Sequence, residues 1–307
     1  MTPAAITTLH RLLLIALSPP PAEARRLFHG RGKQWPGLEQ ITVDWLEGIV
    51  LVTLFRAPAD DLLTTLQDML RSLCPRVLLQ QRYLPDCPAQ WLAGDPVEQW
   101  QIHENGLTYL LDLGTRQNSG LFLDMRHGRQ WLAEHADGKS VLNLFAYTCA
   151  FSVAAIAGGA KRVVNLDMAR AALSRGRENH RLNRHDLSRV TFLGHDLFKS
   201  WGKLGRLGPY DLIVIDPPSF QQGSFILSRD LRKIFRRLPG LLSPQGRVLA
   251  CCNDPQIDMA FLLAEAAEAA PGLRFVQRLS NPAEFTDSDP EAGLKVLLFA
   301  TNTIPAC

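Results

Sequence analysis

The most distinctive chemical motif in the sequence is Asp216-Pro217-Pro218-Ser219-Phe220, which directly follows the apolar segment 210–215. Two consecutive prolines fix φ and remove two backbone N–H donors, an arrangement that is costly in an ordinary loop. The carboxylate of Asp216 and the neighbouring carbonyl groups then project rigidly as acceptors. They can hold an exocyclic amine or a ring N–H of a nucleobase against a methyl donor, so that catalysis comes from positioning. Asp216, Pro217 and Pro218 are therefore predicted catalytic residues, with a purely structural turn as the alternative.

A second group of candidates lies in Asn143-Leu144-Phe145-Ala146-Tyr147-Thr148, where a predicted strand runs straight into a predicted helix. Carbonyl groups of such a turn can accept from an amine, and the N–H groups of a helix N-terminus suit a carboxylate. A methionine-derived cofactor presents both groups. The segment lacks the glycine-rich loop expected for a pyrophosphate, which argues against NAD or ATP. The motif is weak by itself, because a simple strand-to-helix turn would look the same. The residues predicted to bind the cofactor here are Asn143, Phe145, Ala146, Tyr147 and Thr148.

Acidic residues end the next two predicted strands. Asp167, followed by Met168, lies about 20 residues after the first strand end, where an acidic residue can bind a ribose diol. Asp196, followed by Leu197, can accept from an adenine amino group. An isolated Asp in such a place is more often a helix N-cap. The four motifs nevertheless occur in order on successive strand ends, and ligands of open parallel sheets bind beyond those ends. Together they predict a site for S-adenosyl-L-methionine, to which Asp216 also contributes.

The elements that must position these residues alternate between apolar strands and helices from residue 126 to residue 269. This alternation predicts a parallel sheet covered on both faces. Two late strands, 275–279 and 296–300, have no helix between them and predict an antiparallel pair at one edge. The expected fold class is α/β: a class I methyltransferase, Rossmann-like sheet with an antiparallel last strand, preceded by a small α/β domain.

Three domains are predicted. They are an N-terminal helix and basic segment (1–36), a small α/β central domain (37–100) and the domain that binds S-adenosylmethionine (101–307). Segments 107–113 and 121–123 are expected to form a hairpin-like approach to the last domain. After a predicted helix over 6–17 and a proline-rich break at 19–21, residues 25–33 are predicted to form a basic segment.

Composition restricts the class of protein and its partners. The chain has 307 residues and a formal net charge of +3, and its apolar stretches stay far below the ~20 residues of a membrane span. Six cysteines without C-x-x-C or zinc spacing indicate no metal and a reduced, cytoplasmic protein. Arginine clusters in 25–33, 170–184 and 229–237 can attract phosphates, although a solvated helix face explains each cluster alone. The sequence leaves a homodimer open.

Several of these tracts resemble the bacterial 23S rRNA base methyltransferases, which include cytosine-C5 and guanine-N7 enzymes. The resemblance extends from about residue 40 to residue 300, and its most distinctive motif is G-L-F-L-D-x-R at 120–126. In that family this tract folds over the cofactor. The resemblance therefore implies that Phe122, Asp124 and Arg126 lie near S-adenosylmethionine and that Arg126 neutralises its carboxylate. It also implies an RNA partner, expected to be rRNA.

The sequence departs from that family after the fifth strand. The cytosine-C5 enzymes carry Ser-Cys-Ser there, and the cysteine attacks C6 of the base, whereas this chain has Ala250-Cys251-Cys252-Asn253-Asp254-Pro255. Depending on a shift of one residue, the position holds Cys252 or Asn253. Asn253 would match the guanine-N7 enzymes, which need no covalent intermediate. Both residues are predicted catalytic candidates, and buried inert thiols are the favoured interpretation of Cys251 and Cys252.

The cytosine-C5 enzymes carry an N-terminal RNA-binding domain that has no counterpart in this sequence. RNA binding is therefore expected to depend on the central domain and the arginine-rich helices. Phe220 or Tyr147 is a candidate to stack on an extruded base, with core packing favoured for Phe220. Two other functions stay open. One is a methyltransferase of a protein or a small molecule, and the other is a non-catalytic RNA-binding assembly factor with the same fold.

Overall fold

A computed structural model describes residues 1–114, 117–221 and 225–302 of the chain. It divides into two compact units, of which the first contains Met1–Leu123 and Pro282–Pro290. The second contains Asp124–Asn281 and Glu291–Cys307. Within the described residues, no helix combines the length and the hydropathy needed to cross a membrane.

The first unit is built on a five-stranded sheet. Its helices and strands are α1 (Pro3–Ala16), β1 (Arg25–His29), β2 (Ile41–Trp45), β3 (Val50–Leu54), α2 (Asp60–Arg71), β4 (Val77–Gln81), β5 (Ala89–Ala93), β6 (Gln99–Glu104) and β7 (Leu107–Asp112). The sheet order is β1-β2-β3-β4-β5, in which β3 and β4 are parallel and the other neighbours antiparallel. The apolar faces of α1 and α2 contribute Leu9, Leu13, Leu66 and Leu70 to its core.

One expectation for the first unit is wrong. Residues 121–123 do not pair with the strand that begins at Leu107. That strand, β7, pairs with β6, and Leu123–Met125 form a 3₁₀ helix. The basic segment contains β1, an edge strand whose Phe28 is buried while Arg25 is exposed.

The boundary between the two units follows Leu123, whereas the predicted domain boundaries lie at residues 36 and 100. Leu9 and Leu13 of α1 are fully buried in the core of the first unit, which attaches the N-terminal helix to the sheet. The β6–β7 hairpin is attached to the same unit, because the Nε1–H of Trp100 donates to the carbonyl of Leu46 over 2.7 Å.

The second unit contains a seven-stranded sheet with helices on both faces. Its elements are α3 (Arg126–His135), β8 (Ser140–Leu144), α4 (Ala150–Ala157), β9 (Arg162–Leu166), α5 (Arg170–Leu182), β10 (Val190–Leu193), α6 (Trp201–Leu207), β11 (Tyr210–Ile215), β12 (Phe220–Gln221), β13 (Phe225–Ile226), α7 (Leu227–Phe235), β14 (Leu242–Cys252), α8 (Met259–Ala269), β15 (Leu273–Leu279) and β16 (Lys295–Thr301).

The order of the large sheet is β10-β9-β8-β11-β14-β16-β15. The strands from β10 to β14 are parallel, and β16 runs antiparallel to both β14 and β15. This arrangement confirms the predicted class I methyltransferase fold with its antiparallel last strand. Strand order reverses between β8 and β11, so the carboxyl ends of these two strands flank the position at which such sheets bind ligands.

Candidate functional site

The loop after β8 carries alternating left-handed residues that are not glycine. Phe145, Tyr147 and Cys149 have φ angles of 58°, 47° and 61°. Each such residue costs on the order of 1 kcal/mol and persists only where the surroundings hold it. Hydrogen bonds supply that hold, since the N–H of Ala146 donates to the carbonyl of Leu166 over 3.1 Å and the N–H of Cys149 to that of Ala146 over 2.7 Å. The predicted cofactor segment is therefore a strained, fixed loop.

Helix α5 closes the same loop from the side. An added Cβ on Gly176 would lie 2.4 Å from the Sγ of Cys149, so only glycine allows this approach. The side-chain amide of Asn179 donates to the carbonyl of Thr148 over 3.0 Å. Thr148 itself is buried, with 4% of its surface exposed. Gly176 and Asn179 were missed by sequence reasoning, because neither stands in a recognisable motif.

Asp167 ties the loop to the end of β9. Its Oδ2 accepts from the N–H of Tyr147 over 2.8 Å, and its Oδ1 accepts from the N–H of Ala169 over 2.7 Å. Burial raises the pKa of Asp167, although these two hydrogen bonds act in the opposite direction. Each carboxylate oxygen keeps a second lone-pair direction for a further donor. The neighbouring Met168 is 45% exposed.

Asp196 lies at the carboxyl end of β10 and caps a short 3₁₀ helix. Its Oδ1 accepts from the N–H of Phe198 over 2.7 Å. The adjoining Leu197 is buried in the core, with only 3% of its surface exposed. The capping role that was the alternative for Asp196 is therefore present, and the side chain stays partly accessible.

Asn143 points into a buried hydrogen-bond chain. Its Nδ2 donates to the Oδ1 of Asn165 over 2.9 Å, and the Nδ2 of Asn165 donates to the Oγ of Ser152 over 2.9 Å. Ser152 in turn pairs with the Nε2 of His180 over 2.9 Å. Burial, and then His185, lower the pKa of His180 to about 3, so this imidazole is neutral at physiological pH. The chain joins β8, β9, α4 and α5 behind the loop, and a polar residue at the same place in two apolar strands was its sequence signal.

Asp216 directly follows the buried end of β11 and is itself partly buried. The next residue, Pro217, is buried, and Pro218 is exposed. No hydrogen bond between described residues reaches its carboxylate. Burial, and then the nearby Asp124, raise the pKa of Asp216 to about 7, while Arg129 acts in the opposite direction. This side chain can therefore change its protonation state at neutral pH. Arg129, with 3% of its surface exposed, was not predicted.

Helix α3 and the 3₁₀ turn before it carry other predicted residues, of which Asp124 lies close enough to Asp216 to affect its pKa. Arg126, on the first turn of α3, is buried. The Nδ2 of Asn253 lies 3.5 Å from the Oδ2 of Asp124, a distance at the limit of a hydrogen bond. Phe122 belongs to the first unit and is 42% exposed.

The two cysteines at the end of β14 are buried thiols. Cys251 and Cys252 lie in two different hydrophobic clusters of the second unit, with 3% and 0% of their surfaces exposed. Burial is the largest cause that raises the pKa of each thiol. A thiol that stays protonated is a poor nucleophile. Asn253, the next residue, is exposed.

Phe220 is 64% exposed, so the expectation that it packs in the core is wrong. The reason is the short ladder between β12 and β13, in which Phe220 pairs with Ile226. The buried aromatic residue of this hairpin is instead Phe225, which is 2% exposed and lies 5.1 Å from the ring of Phe145. Tyr147 is half-buried. In the part of the chain that the structure describes, no group of three or more acidic, His or Cys side chains is arranged to hold a metal ion.

Comparison with known proteins identifies the family. A family model described as S-adenosylmethionine-dependent methyltransferase matches residues 25–300. The chain belongs to this family. The predicted class of enzyme, an S-adenosylmethionine-dependent methyltransferase, and the predicted cofactor are thereby confirmed.

Curated relatives of this methyltransferase include ribosomal RNA large subunit methyltransferase I of Aeromonas salmonicida, which is 30% identical over 249 residues. The match covers 76% of this chain and 62% of the relative, so the chain spans less than two thirds of the relative's length. YwbD of Bacillus subtilis, a protein named as a ribosomal RNA large subunit methyltransferase, is 28% identical over 299 residues, or 90% of this chain and 74% of that protein.

Solved structures show the same fold. A methyltransferase crystallised in complex with SAH superposes with a TM-score of 0.86 and 25% identity, over 96% of this chain and 82% of that one. A S-adenosylmethionine-dependent methyltransferase from Streptococcus mutans gives the same TM-score and identity, over 96% of this chain and 81% of that one.

Proposed function

We propose that this methyltransferase transfers a methyl group from S-adenosylmethionine to a base of RNA, with 23S rRNA as the substrate. The relatives named as large-subunit rRNA methyltransferases support this substrate class. A single structural observation carries the proposal: the exposed ring of Phe220 stands four residues after the partly buried carboxyl group of Asp216. One group can stack on a flat base and the other can accept from its N–H. The proposal implies a cytoplasmic protein, because ribosomal RNA is found there.

The residues at the strand ends fit the chemistry of the cofactor. Its ribose hydroxyls need an acceptor, for which we propose Asp167, and its adenine amino group needs a second acceptor, for which we propose Asp196. The amino-acid end of the cofactor carries both charges, and backbone groups of the loop 145–148 suit these together with Asp124 and Arg126. When bound, S-adenosylmethionine supplies an electrophilic methyl group on a sulfonium centre.

Asp216 is proposed to hold the target base through an N–H, with the backbone around Pro217 and Pro218 fixing the direction of the carboxylate. Only the ionised form is a pure acceptor, and the pKa of about 7 makes that form pH-dependent. A carboxylate with such a pKa is also suited to receive a proton from the base. The exposed amide of Asn253 is proposed to face the substrate, because the thiol of the buried Cys252 is protonated.

The test is methyl transfer from radiolabelled S-adenosylmethionine to three acceptor fractions from cells that lack this protein: large-subunit rRNA, total protein and small molecules. We expect label in the rRNA at one nucleotide, which mapping of modified bases then identifies. Label in the protein or small-molecule fraction would contradict the RNA substrate. Binding of RNA together with calorimetry that detects no S-adenosylmethionine binding would point to an assembly factor instead.

A further inference from the structure

Two arginines of the first unit share one aromatic ring. The Cζ of Arg31 lies 4.3 Å from the centroid of the Phe55 ring, and the Cζ of Arg82 lies 5.4 Å from the same centroid. Arg31 is exposed, and Phe55 and Arg82 are half-buried. Cation–π attraction of about 0.5–1 kcal/mol per exposed pair favours each contact, while the two positive charges repel each other.

The topology of the sheet explains this meeting. β1 and β3 are each antiparallel to β2, and β4 is parallel to β3, so the carboxyl ends of β1, β3 and β4 lie at one edge. Phe55 directly follows β3, and Arg82 directly follows β4. The N–H of Arg82 also donates to the carbonyl of Leu54 over 2.8 Å, which fixes its backbone beside Phe55.

Arg31 stands between two glycines whose backbone packs closely against neighbouring backbone. An added Cβ on Gly30 would lie 1.9 Å from the carbonyl oxygen of Leu38, and one on Gly32 would lie 2.4 Å from that of Thr286. Both contacts are with backbone, which cannot move aside cheaply. The sequence Gly-Arg-Gly therefore allows a 3₁₀ turn to be pressed against neighbouring chain, with Arg31 at its tip.

The charge of this arginine pair is poorly compensated. Within the described residues, neither Arg31 nor Arg82 forms an ion pair. The guanidinium group of Arg82 lies 3.5 Å from the Oδ1 of Asn118 and contacts the thiol of Cys87, which does not neutralise its charge. Burial, and then Arg82 and Arg26, lower the pKa of Arg31, against which Asp287 acts. Burial also lowers the pKa of Arg82. A bound anion would relieve this repulsion.

The arginine-rich helix α7 differs in this respect. Arg229 and Lys233 both pair with Asp230, and Arg232 pairs with Glu265 and Glu268. Those cations are already neutralised by acidic side chains of the same unit. An anionic ligand gains less from them than from Arg31 and Arg82.

We propose that Arg31 and Arg82 form a clamp for a backbone phosphate of the RNA substrate, with Phe55 holding the two guanidinium groups at a fixed spacing. The inference rests on the proposed function and names a part of the substrate that the first unit recognises. Guanidinium groups bind phosphate oxygens through paired N–H donors. Such contacts position the RNA without reading its bases.

The test measures the affinity of a fluorescein-labelled RNA hairpin for the full chain between 50 and 200 mM salt, on the order of the range over which phosphate contacts are resolved. We compare Arg31→Gln, Arg82→Gln and the double variant with Arg11→Gln, a control at an exposed arginine of α1. Each clamp substitution should weaken binding about tenfold and reduce the slope of log affinity against log salt by about 1. Arg31→Lys, which keeps the charge but loses the paired donors, should lose less.

A merely structural role would give a different result. If the clamp binds phosphate, Arg82→Gln removes a repulsion, so its melting temperature should equal or exceed that of the wild type while its RNA affinity falls. The inference would be overturned if the clamp variants bind the hairpin with the same affinity as Arg11→Gln, or if the wild type does not bind the hairpin. It would also be overturned if polyglutamate displaces the labelled hairpin from the wild type as well as unlabelled hairpin does. Methyl transfer to rRNA is measured in parallel. Unchanged RNA binding with active methyl transfer would reject the clamp alone, whereas weakened binding without any methyl transfer would reject the proposed function alone.

Discussion

The backbone N–H of Tyr147 donates to the Oδ2 of Asp167 over 2.8 Å, and Tyr147 adopts a φ of 47°. A side chain at the end of β9 thus holds a left-handed residue in the loop after β8. The same carboxylate is the proposed acceptor for the cofactor ribose. Asp167 is therefore expected to act both as a binding group and as the support of a second binding segment.

Replacing Asp167 with Asn should weaken S-adenosylmethionine binding by about 10- to 100-fold, since hydrogen bonds to a charged group are worth about 1.5–3 kcal/mol. Isothermal calorimetry measures this change. Asp186→Asn is the matched control, because the Oδ1 of Asp186 accepts from the N–H of Ser188 in a similar turn on the surface. Equal affinities of both variants would argue against a role for Asp167 in the cofactor site.

Asp216→Asn should lower kcat by about 100-fold or more, in the range of general acid–base groups. The wild-type rate should rise with pH through about 7, because the carboxyl group must ionise, and this limb should be absent in the variant. A variant that keeps the rising limb would show that another group titrates.

Although Asp216→Asn should lower kcat, it should raise the free energy of unfolding relative to the wild type at neutral pH. The pKa of Asp216 is about 7 in the folded protein, whereas the ordinary pKa of an Asp side chain is 3.8, so the folded state binds more protons between these two pH values. Stability of the wild type is then lost as the pH rises from about 4 to 7, by up to about 1.4 kcal/mol for each pH unit. Asp216→Asn removes this loss. Denaturant unfolding at several pH values should show that the free energy of unfolding of the variant rises relative to that of the wild type as the pH increases from about 4 to 7.

Cys252→Ala should retain methyl transfer, with a small loss of stability, on the order of 1 kcal/mol, from the cavity in the core. Asn253→Ala should fold normally and lose about tenfold in kcat or more, because its exposed amide faces the substrate in our proposal. Steady-state kinetics of both variants decide between the two residues. An inactive, folded Cys252→Ala together with a covalent RNA adduct in the wild type would restore the thiol mechanism.

Phe220→Leu should raise the KM for RNA by about 5- to 100-fold, as expected for the loss of one stacked base. Its melting temperature should stay unchanged, because the ring is mostly exposed. Phe225→Leu is the contrasting variant, since that ring is buried and its truncation should lower the melting temperature. Phe220→Trp should preserve the KM. If Phe220→Leu melts early and keeps the wild-type KM, the ring is structural.

Ser152→Ala should destabilise the second unit by about 1–3 kcal/mol, because it leaves His180 and Asn165 buried without their common partner. Ser188→Ala, at an exposed position, serves as the control. Urea unfolding measures the difference. Equal stability of the two variants would mean that the buried chain contributes little.

Much of the second unit was predictable because its strands are short apolar runs between periodic helices. The elements that escaped prediction lack that signal. β6 alternates exposed polar residues with Trp100 and Ile102, and α6 is a short helix with Gly202 and Gly205. β1 is an edge strand that begins with two arginines. In each case the tertiary contacts, not the local pattern, fix the element.

The candidate site shows the same division. Asp167, Asp196 and Asp216 could be proposed from the sequence because strand ends mark ligand positions in this fold. The electrostatic effect of Arg129 on Asp216 arises from residues distant in sequence with no fixed spacing. In the chain from Asn143 to His180, only the two asparagines of the strands had a sequence signal, and Ser152 and His180 had none. The exposure of Phe220 depends on a two-residue strand pairing, which is too short to produce a periodic pattern in the sequence.

The insertion of β16 between β14 and β15 has a consequence for biosynthesis. β15 leaves the ribosome before the strand that joins it to the rest of the sheet, so every nascent chain shorter than about residue 295 carries an unpaired apolar edge on β14. Such edges favour association between chains. Completion of the methyltransferase sheet must therefore follow translation of its last strand, and deletions within 295–301 should yield aggregated protein.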